Sequence, residues 1–272
     1  MRPDSGPASP KPPPDTLRIL DRVLAAHGGR AAWESVRHID AIVTLGGDAL
    51  ARRGLAGAVR GCRVRVHPYL QRVTVHDFIE PGQRGEWIPR EALLHRPGAK
   101  NGQPRQLTPE RVAGRLLASR WDPLDLLAFT GMAAWSLLCF PLLLDFPGVE
   151  LVATEGDPVL GAAWRLGARF PPEMPMLGHE HWFHVDASGQ LARHDYGFEP
   201  LSPVRLAATP IGGPHTTDGL RLYPRHVALP SLGRRTSRAL PAQLVVEAQP
   251  VAVRRAAAAV LAAPCEEPLA PA

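Results

Sequence analysis

Nineteen consecutive residues, Leu126 to Leu144, carry no charge. A run of this length is close to what a helix needs to cross a bilayer, so it limits the fold to two kinds: a membrane span or a buried core element. Thr130, Gly131, Ser136 and Pro141 interrupt it, Asp125 and Asp145 flank it, and no cluster of Lys or Arg marks one end. These features predict a buried helix followed by an extended piece, with the rest of the chain folded around it and no transmembrane span.

The flanking sequence predicts what does the wrapping. Ile39, Ala41, Val43 and Leu45 alternate with polar or small neighbours and stop at Gly46-Gly47. Val64 and Val66 alternate with Arg63, Arg65 and His67, and Val73 and Val75 with Arg72, Thr74 and His76. Period-2 alternation marks strands with one wet face, typical of antiparallel sheets. Further strands are expected at Val149–Glu155, Ala162–Phe170, His179–Asp186, Leu191–Phe198, Val204–Thr209, Leu220–Leu229 and Leu244–Val253. Asp186-Ala187-Ser188-Gly189 and Asp218-Gly219 read as hairpin turns.

A helix is predicted over Thr16–Ala26, capped by Asp15, with Leu17, Leu20, Val23 and Leu24 on one stripe and His27-Gly28-Gly29 ending it. A short helical turn near Ala31–Val36 carries Trp33. Arg96–Arg105 reads as a loop, and Thr108-Pro109-Glu110 opens another helix. The expected fold is α+β: one domain over 16–253, a curved antiparallel β half-barrel around the buried apolar helix. Residues 1–15 read as a Pro-rich disordered leader and 254–272 as an Ala/Pro-rich tail.

The formal net charge is +5, but only two of the 31 basic residues, Lys11 and Lys100, are lysine. The arginines are scattered rather than gathered on a stripe, so no nucleic-acid partner is expected. Cys62, Cys139 and Cys265 are odd in number and widely spaced, which indicates neither a disulfide framework nor a thiolate zinc site. No apolar leader precedes the first helix, which predicts a cytoplasmic protein.

Several segments together resemble a bacterial family without an assigned activity. They are AHGGRAAW, WDPLDLLAFTGMAAWSLLCFPLLLDFPGVE, WRLGARFPP, WFHVDASGQLARHDY, and the DGL turn followed by YPRHV. RHDY is the sharpest of them. Met132 and Ser136 depart from the pattern, and YPRHV lacks its run of consecutive arginines. The family is similar to the outer-membrane lipoprotein-sorting (LolA-like) carriers. That resemblance, over Leu17 to Val253, implies an open half-barrel above a helical plug, with an apolar cavity for acyl chains.

Candidate chemistry gathers on the hairpin His179–Phe198. By strand parity His179, His181, Phe183 and Val185 share one face, and Ala192, His194, Tyr196 and Phe198 share one on the next strand. With both apolar faces inward, His179, His181, His194 and Tyr196 line one cavity, and Trp135 of the apolar helix joins them as a ligand-binding residue. His-x-His on a strand can ligate a metal, but no glutamate follows at a suitable spacing, so no metal is expected. Asp195 faces away from His194 and is expected to pair with Arg193. No GxSxG, P-loop, GxGxxG or HExxH pattern occurs, and no cofactor is expected. Two functions follow. The chain binds a largely apolar small molecule or lipid in the half-barrel, or it is a cofactor-independent acid/base enzyme (isomerase, cyclase or hydrolase) using the same cavity through His194, Tyr196 or His181.

Overall fold

The computed structural model describes residues 15–89, 91–97, 104–107, 120–174, 176–198, 202–232, 235–236 and 240–256. The helix expected at Thr108, the leader to residue 14 and the tail beyond residue 256 lie outside them.

Helix α1 spans Thr16–Ala26, α2 Arg30–Glu34, α3 Asp48–Ala51 and α4 Pro123–Leu138. The strands are β1 Val36–Gly46, β2 Cys62–His67, β3 Arg72–His76, β4 Arg84–Ile88, β5 Glu91–His95, β6 Arg105–Leu107, β7 Glu150–Glu155 and β8 Trp164–Arg169. They continue with β9 Glu180–Val185, β10 Leu191–Tyr196, β11 Leu206–Pro210, β12 His215–Thr217, β13 Leu220–Leu222, β14 Arg225–Leu232, β15 Arg235–Thr236 and β16 Leu244–Arg255. All the strand pairs are antiparallel.

The main sheet has 14 strands in the order β6-β5-β4-β3-β2-β1-β16-β14-β11-β10-β9-β8-β7, with β15 attached to β14. It is curved and unclosed, as the half-barrel expectation requires. Two meanders, β1 to β6 and β7 to β11, flank a seam where β16 pairs with both β1 and β14. Strands β12 and β13 form a separate pair around the Asp218-Gly219 turn, both of whose residues have positive φ. The expected strand Leu220–Leu229 is therefore two strands, divided at Tyr223-Pro224, where proline has no N–H to give a ladder.

Helix α4 crosses the concave side and packs on β1 to β6 and β16. It starts from a reciprocal cap. Asp122 Oδ1 accepts from the Leu124 and Asp125 N–H groups (2.7 and 3.1 Å), and Asp125 Oδ2 accepts from the Asp122 N–H (2.8 Å). Leu126, Leu127, Phe129, Thr130 and Trp135 are all fully buried, so the helix is covered round most of its circumference, with Ser136 and Leu137 near its end half-buried. Thr130 donates its hydroxyl to the Leu126 carbonyl (2.7 Å), which removes the cost of burying it. Gly131 allows the close approach: a Cβ there would lie 2.4 Å from Trp87 Cγ on β4. The end of the run departs from expectation. After Pro141 it forms a 3-10 turn, Leu142–Asp145, rather than an extended piece. No helix among the described residues is long and apolar enough to cross a membrane.

Helix α1 has the expected bounds, and Asp15 accepts from the Leu17 and Arg18 N–H groups. Its buried stripe is Ile19, Leu20, Val23 and Leu24; Leu17 in the first turn faces solvent. Much of the arginine excess is paired on the outer face of the sheet, as in Arg65–Asp40, Arg63–Asp77, Arg169–Glu180 and Arg225–Glu247.

Candidate functional site

Strands β9 and β10 meet at the predicted hairpin. The Asp186 carboxylate accepts from the N–H groups of Ser188 (2.8 Å) and Gln190 (2.9 Å), and Gly189 takes positive φ. The register pairs Leu191 with Val185 but Arg193 with His184, so Ala192 is an extra residue, a β-bulge. The bulge resets parity. Leu191 and His194, three residues apart, both line the concave pocket, and it is Leu191 rather than Ala192 that does so.

On the concave side the structure brings His181, His194 and Tyr196 together. His181 and His194 approach at 2.7 Å between Nδ1 of the first and Nε2 of the second, and His181 Nε2 lies 3.1 Å from the Gly178 carbonyl. The rings stack: Phe183 on His194 with centroids 4.2 Å apart, and His181 against Tyr196 at 5.6 Å. Gly178 has to be glycine, because its φ is +92° and a Cβ would fall 2.2 Å from the Gly197 oxygen.

Burial keeps these groups neutral. It lowers His181 to about 4, and the hydrogen bond to Gly178 recovers only part of that. It holds His194 well below the usual imidazole range, with the neighbouring His181 adding to the effect. Burial also raises the Tyr196 phenol.

The proton positions then follow from the chain of contacts. A carbonyl can only accept, so His181 carries its proton on Nε2 and presents a bare Nδ1. That nitrogen needs a donor, so His194 carries its proton on Nε2. His194 Nδ1 is left as a lone-pair acceptor with no hydrogen bond among the described residues.

The pocket on this side lies between α4 and the sheet, with a free volume of about 50 Å³. Ala133, Leu137 and Phe140 form one wall; Phe183, Leu191, His194 and Tyr196 form another; His226, Leu244 and Val246 close it from the seam. No Asp, Glu, Lys or Arg lines it. Ser136 and Leu137 are half-buried at its mouth. His226 is lowered to about 3 by burial, and its Nδ1 is buried without a hydrogen-bond partner. The Tyr223 hydroxyl accepts from the Leu191 N–H (2.7 Å), and burial raises it to about 12. Tyr223 and His226 were not among the sequence candidates. Their YPRHV segment stood out only as a resemblance, and its place opposite the hairpin depends on a long-range pairing.

Two of the sequence candidates lie elsewhere. His179 precedes β9 and is exposed. Trp135 is fully buried on the side of α4 turned toward the first meander, and its indole Nε1–H donates to the Pro68 carbonyl at 3.1 Å. Strand parity does not bring His179 inward because the strand begins one residue later, and one helical face cannot address both halves of the sheet. Among the described residues no group of three or more His, Cys, Asp or Glu could hold a metal ion.

The opposite face of the same hairpin is ionic. Arg193 forks onto Asp195 and also donates to Ser231 Oγ (2.9 Å), and Asp195 takes a further bond from His184 Nε2 (3.2 Å). Asp195 thus pairs with Arg193 as the sequence predicts. Arg193 and the His184 hydrogen bond hold the carboxyl below its ordinary range despite burial.

No family model matches the chain, and no curated protein matches it. Solved structures do resemble it in fold. A LolA superfamily protein from Nitrosomonas europaea aligns over 90% of this chain and 95% of its own, with 10% identity and a TM-score of 0.48. An outer membrane lipoprotein-sorting protein domain from Vibrio parahaemolyticus aligns over 88% and 92%, with 11% identity and a TM-score of 0.46. A DUF1329 family protein from Desulfovibrio piger aligns over 86% and 91%, with 10% identity and a TM-score of 0.39. The cytoplasmic expectation is corrected by this finding. It rested only on the sequence before the first helix, whereas a solved neighbour in fold carries the name of an outer membrane lipoprotein-sorting protein domain. The fold similarity is to LolA-like proteins.

Proposed function

We propose that the protein binds a largely apolar small molecule or lipid at the concave pocket between α4 and β9, β10, β14 and β16. One observation carries this reading: no Asp, Glu, Lys or Arg lines the apolar pocket, yet His226 Nδ1 is buried there without a hydrogen-bond partner and the Tyr223 hydroxyl, which accepts from the Leu191 N–H, still has a proton to give. A purely structural core would tend to satisfy those groups internally.

The free volume is that of a water or two, so a larger ligand enters by displacing the half-buried Leu137 at the mouth. The enzyme alternative draws less support. Histidines held this far below neutrality are weak proton acceptors at pH 7.

The test uses N-phenyl-1-naphthylamine, an uncharged probe whose fluorescence rises in apolar surroundings, on the wild type and Ala133→Leu. Ala133 is buried on the pocket wall, and the larger side chain fills the space. Saturable binding by the wild type and at least tenfold weaker binding by the variant are expected. No binding by the wild type, or equal binding by a folded variant, overturns the proposal.

A further inference from the structure

The polar atoms of the concave pocket specify more than an apolar ligand. This inference rests on the binding reading above and concerns the buried end of the ligand. The Gly178 carbonyl orients His181, and His181 orients His194, so that the atom left over is an acceptor, His194 Nδ1. Beside it stands the Tyr196 phenol, with ring centroids 5.0 Å apart, whose hydroxyl makes no hydrogen bond among the described residues. The Tyr223 hydroxyl already accepts from the Leu191 N–H, so its own proton remains to be given. A ligand here meets the His194 acceptor and phenolic donors, with the neutral His226, whose Nδ1 is also without a partner, on the seam side of the same pocket.

Charge narrows the chemistry further. A carboxylate or phosphate only accepts; it would face the lone pair of His194 Nδ1 and find no cation in the lining. An ammonium group only donates, and would bury its charge with no counter-ion. A hydroxyl does both jobs at once, donating to the imidazole and accepting from a phenol, with no charge to desolvate. We infer that the pocket selects neutral alcohols, holding the ligand hydroxyl between His194 Nδ1 and the Tyr196 phenol while the carbon chain leaves past Ser136 and Leu137.

Octan-1-ol, octanoate, octylammonium and 1-chlorooctane share a chain and differ in the head. Each is used to displace bound N-phenyl-1-naphthylamine at pH 7.5. Octan-1-ol is expected to displace at concentrations at least tenfold lower than either charged compound. His194→Leu is expected to remove that advantage over 1-chlorooctane while leaving 1-chlorooctane binding within threefold. Should that variant not fold, Tyr196→Phe takes its place with the same expectation.

Equal displacement by all four compounds overturns the alcohol selectivity and leaves the apolar pocket standing. Failure of the naphthylamine to bind at all overturns the binding reading itself. A ligand-free readout tests the hydrogen-bond chain separately: ¹⁵N resonances of the histidine rings should show His194 protonated at Nε2 and bare at Nδ1. The reverse assignment refutes the inference whatever the displacement shows.

Discussion

Acid should destabilise this protein well before its carboxylates titrate. His181 and His226 are held to about 4 and about 3 by burial, against 6.5 for an exposed imidazole. Their folded-state values are depressed, so the unfolded chain takes up protons first as pH falls. Stability is therefore complete above about pH 7 and is lost as pH drops toward the folded values, with a limiting slope of about 1.4 kcal/mol per pH unit for each group. Between pH 7 and 5 each of the two costs about 2 kcal/mol, or about 4 kcal/mol together, a large part of the roughly 5–15 kcal/mol available to a typical domain. His27, also lowered by burial, acts in the same direction. Urea unfolding followed by circular dichroism at pH 7, 6 and 5 measures the loss. His226→Asn, which keeps a polar group but cannot take the charge, should recover about 2 kcal/mol of the difference between pH 7 and 5. A wild-type stability that is flat over this range would mean that the imidazoles reach water in the folded state, and would refute the argument from burial.

Two further perturbations probe packing and the outer face of the hairpin. Trp135→Ala removes a fully buried indole and the donor to the Pro68 carbonyl, and should cost about 3–5 kcal/mol in chemical denaturation; a cost below 1 kcal/mol would mean that α4 is not the centre of the core. Asp195→Ala removes the carboxylate from between buried Arg193 and His184, and should cost about 3–5 kcal/mol at pH 7. A neutral or stabilising result would show that the ionic cluster is hydrated.

The strands with bulky alternation were readable from the sequence because valine and isoleucine stand on the inner face of β1 to β3. Strands β4, β5 and β6 were not, and the reason is physical. On β4 and β5 the inner residues alternate small and large, Gly85 with Trp87 and Ala92 with Leu94, and a Cβ at Gly85 would sit 2.4 Å from Leu127 Cδ1 of α4. Small residues at the point of contact erase the hydrophobic period that marks a strand. The site was legible to a similar depth. Parity brought His181, His194 and Tyr196 to one face, but the bulge at Ala192 and the arrival of His226 from β14, two strands away, depend on pairing that no local pattern encodes.

The seam has a consequence for how the chain is made. Of the described strands, β1 is the first to leave the ribosome and β16 the last, yet their ladder runs from Val36–Arg255 to Gly46–Val245. Until β16 emerges, β1 and β14 each present an open edge of unpaired N–H and C=O groups, with α4 already synthesised and its apolar surface only half covered. The sheet cannot be completed gradually from one end; its middle is inserted last. Nascent chains stalled before Leu244 should therefore engage chaperones and resist protease poorly, and full protection should arrive in one step once β16 clears the exit tunnel.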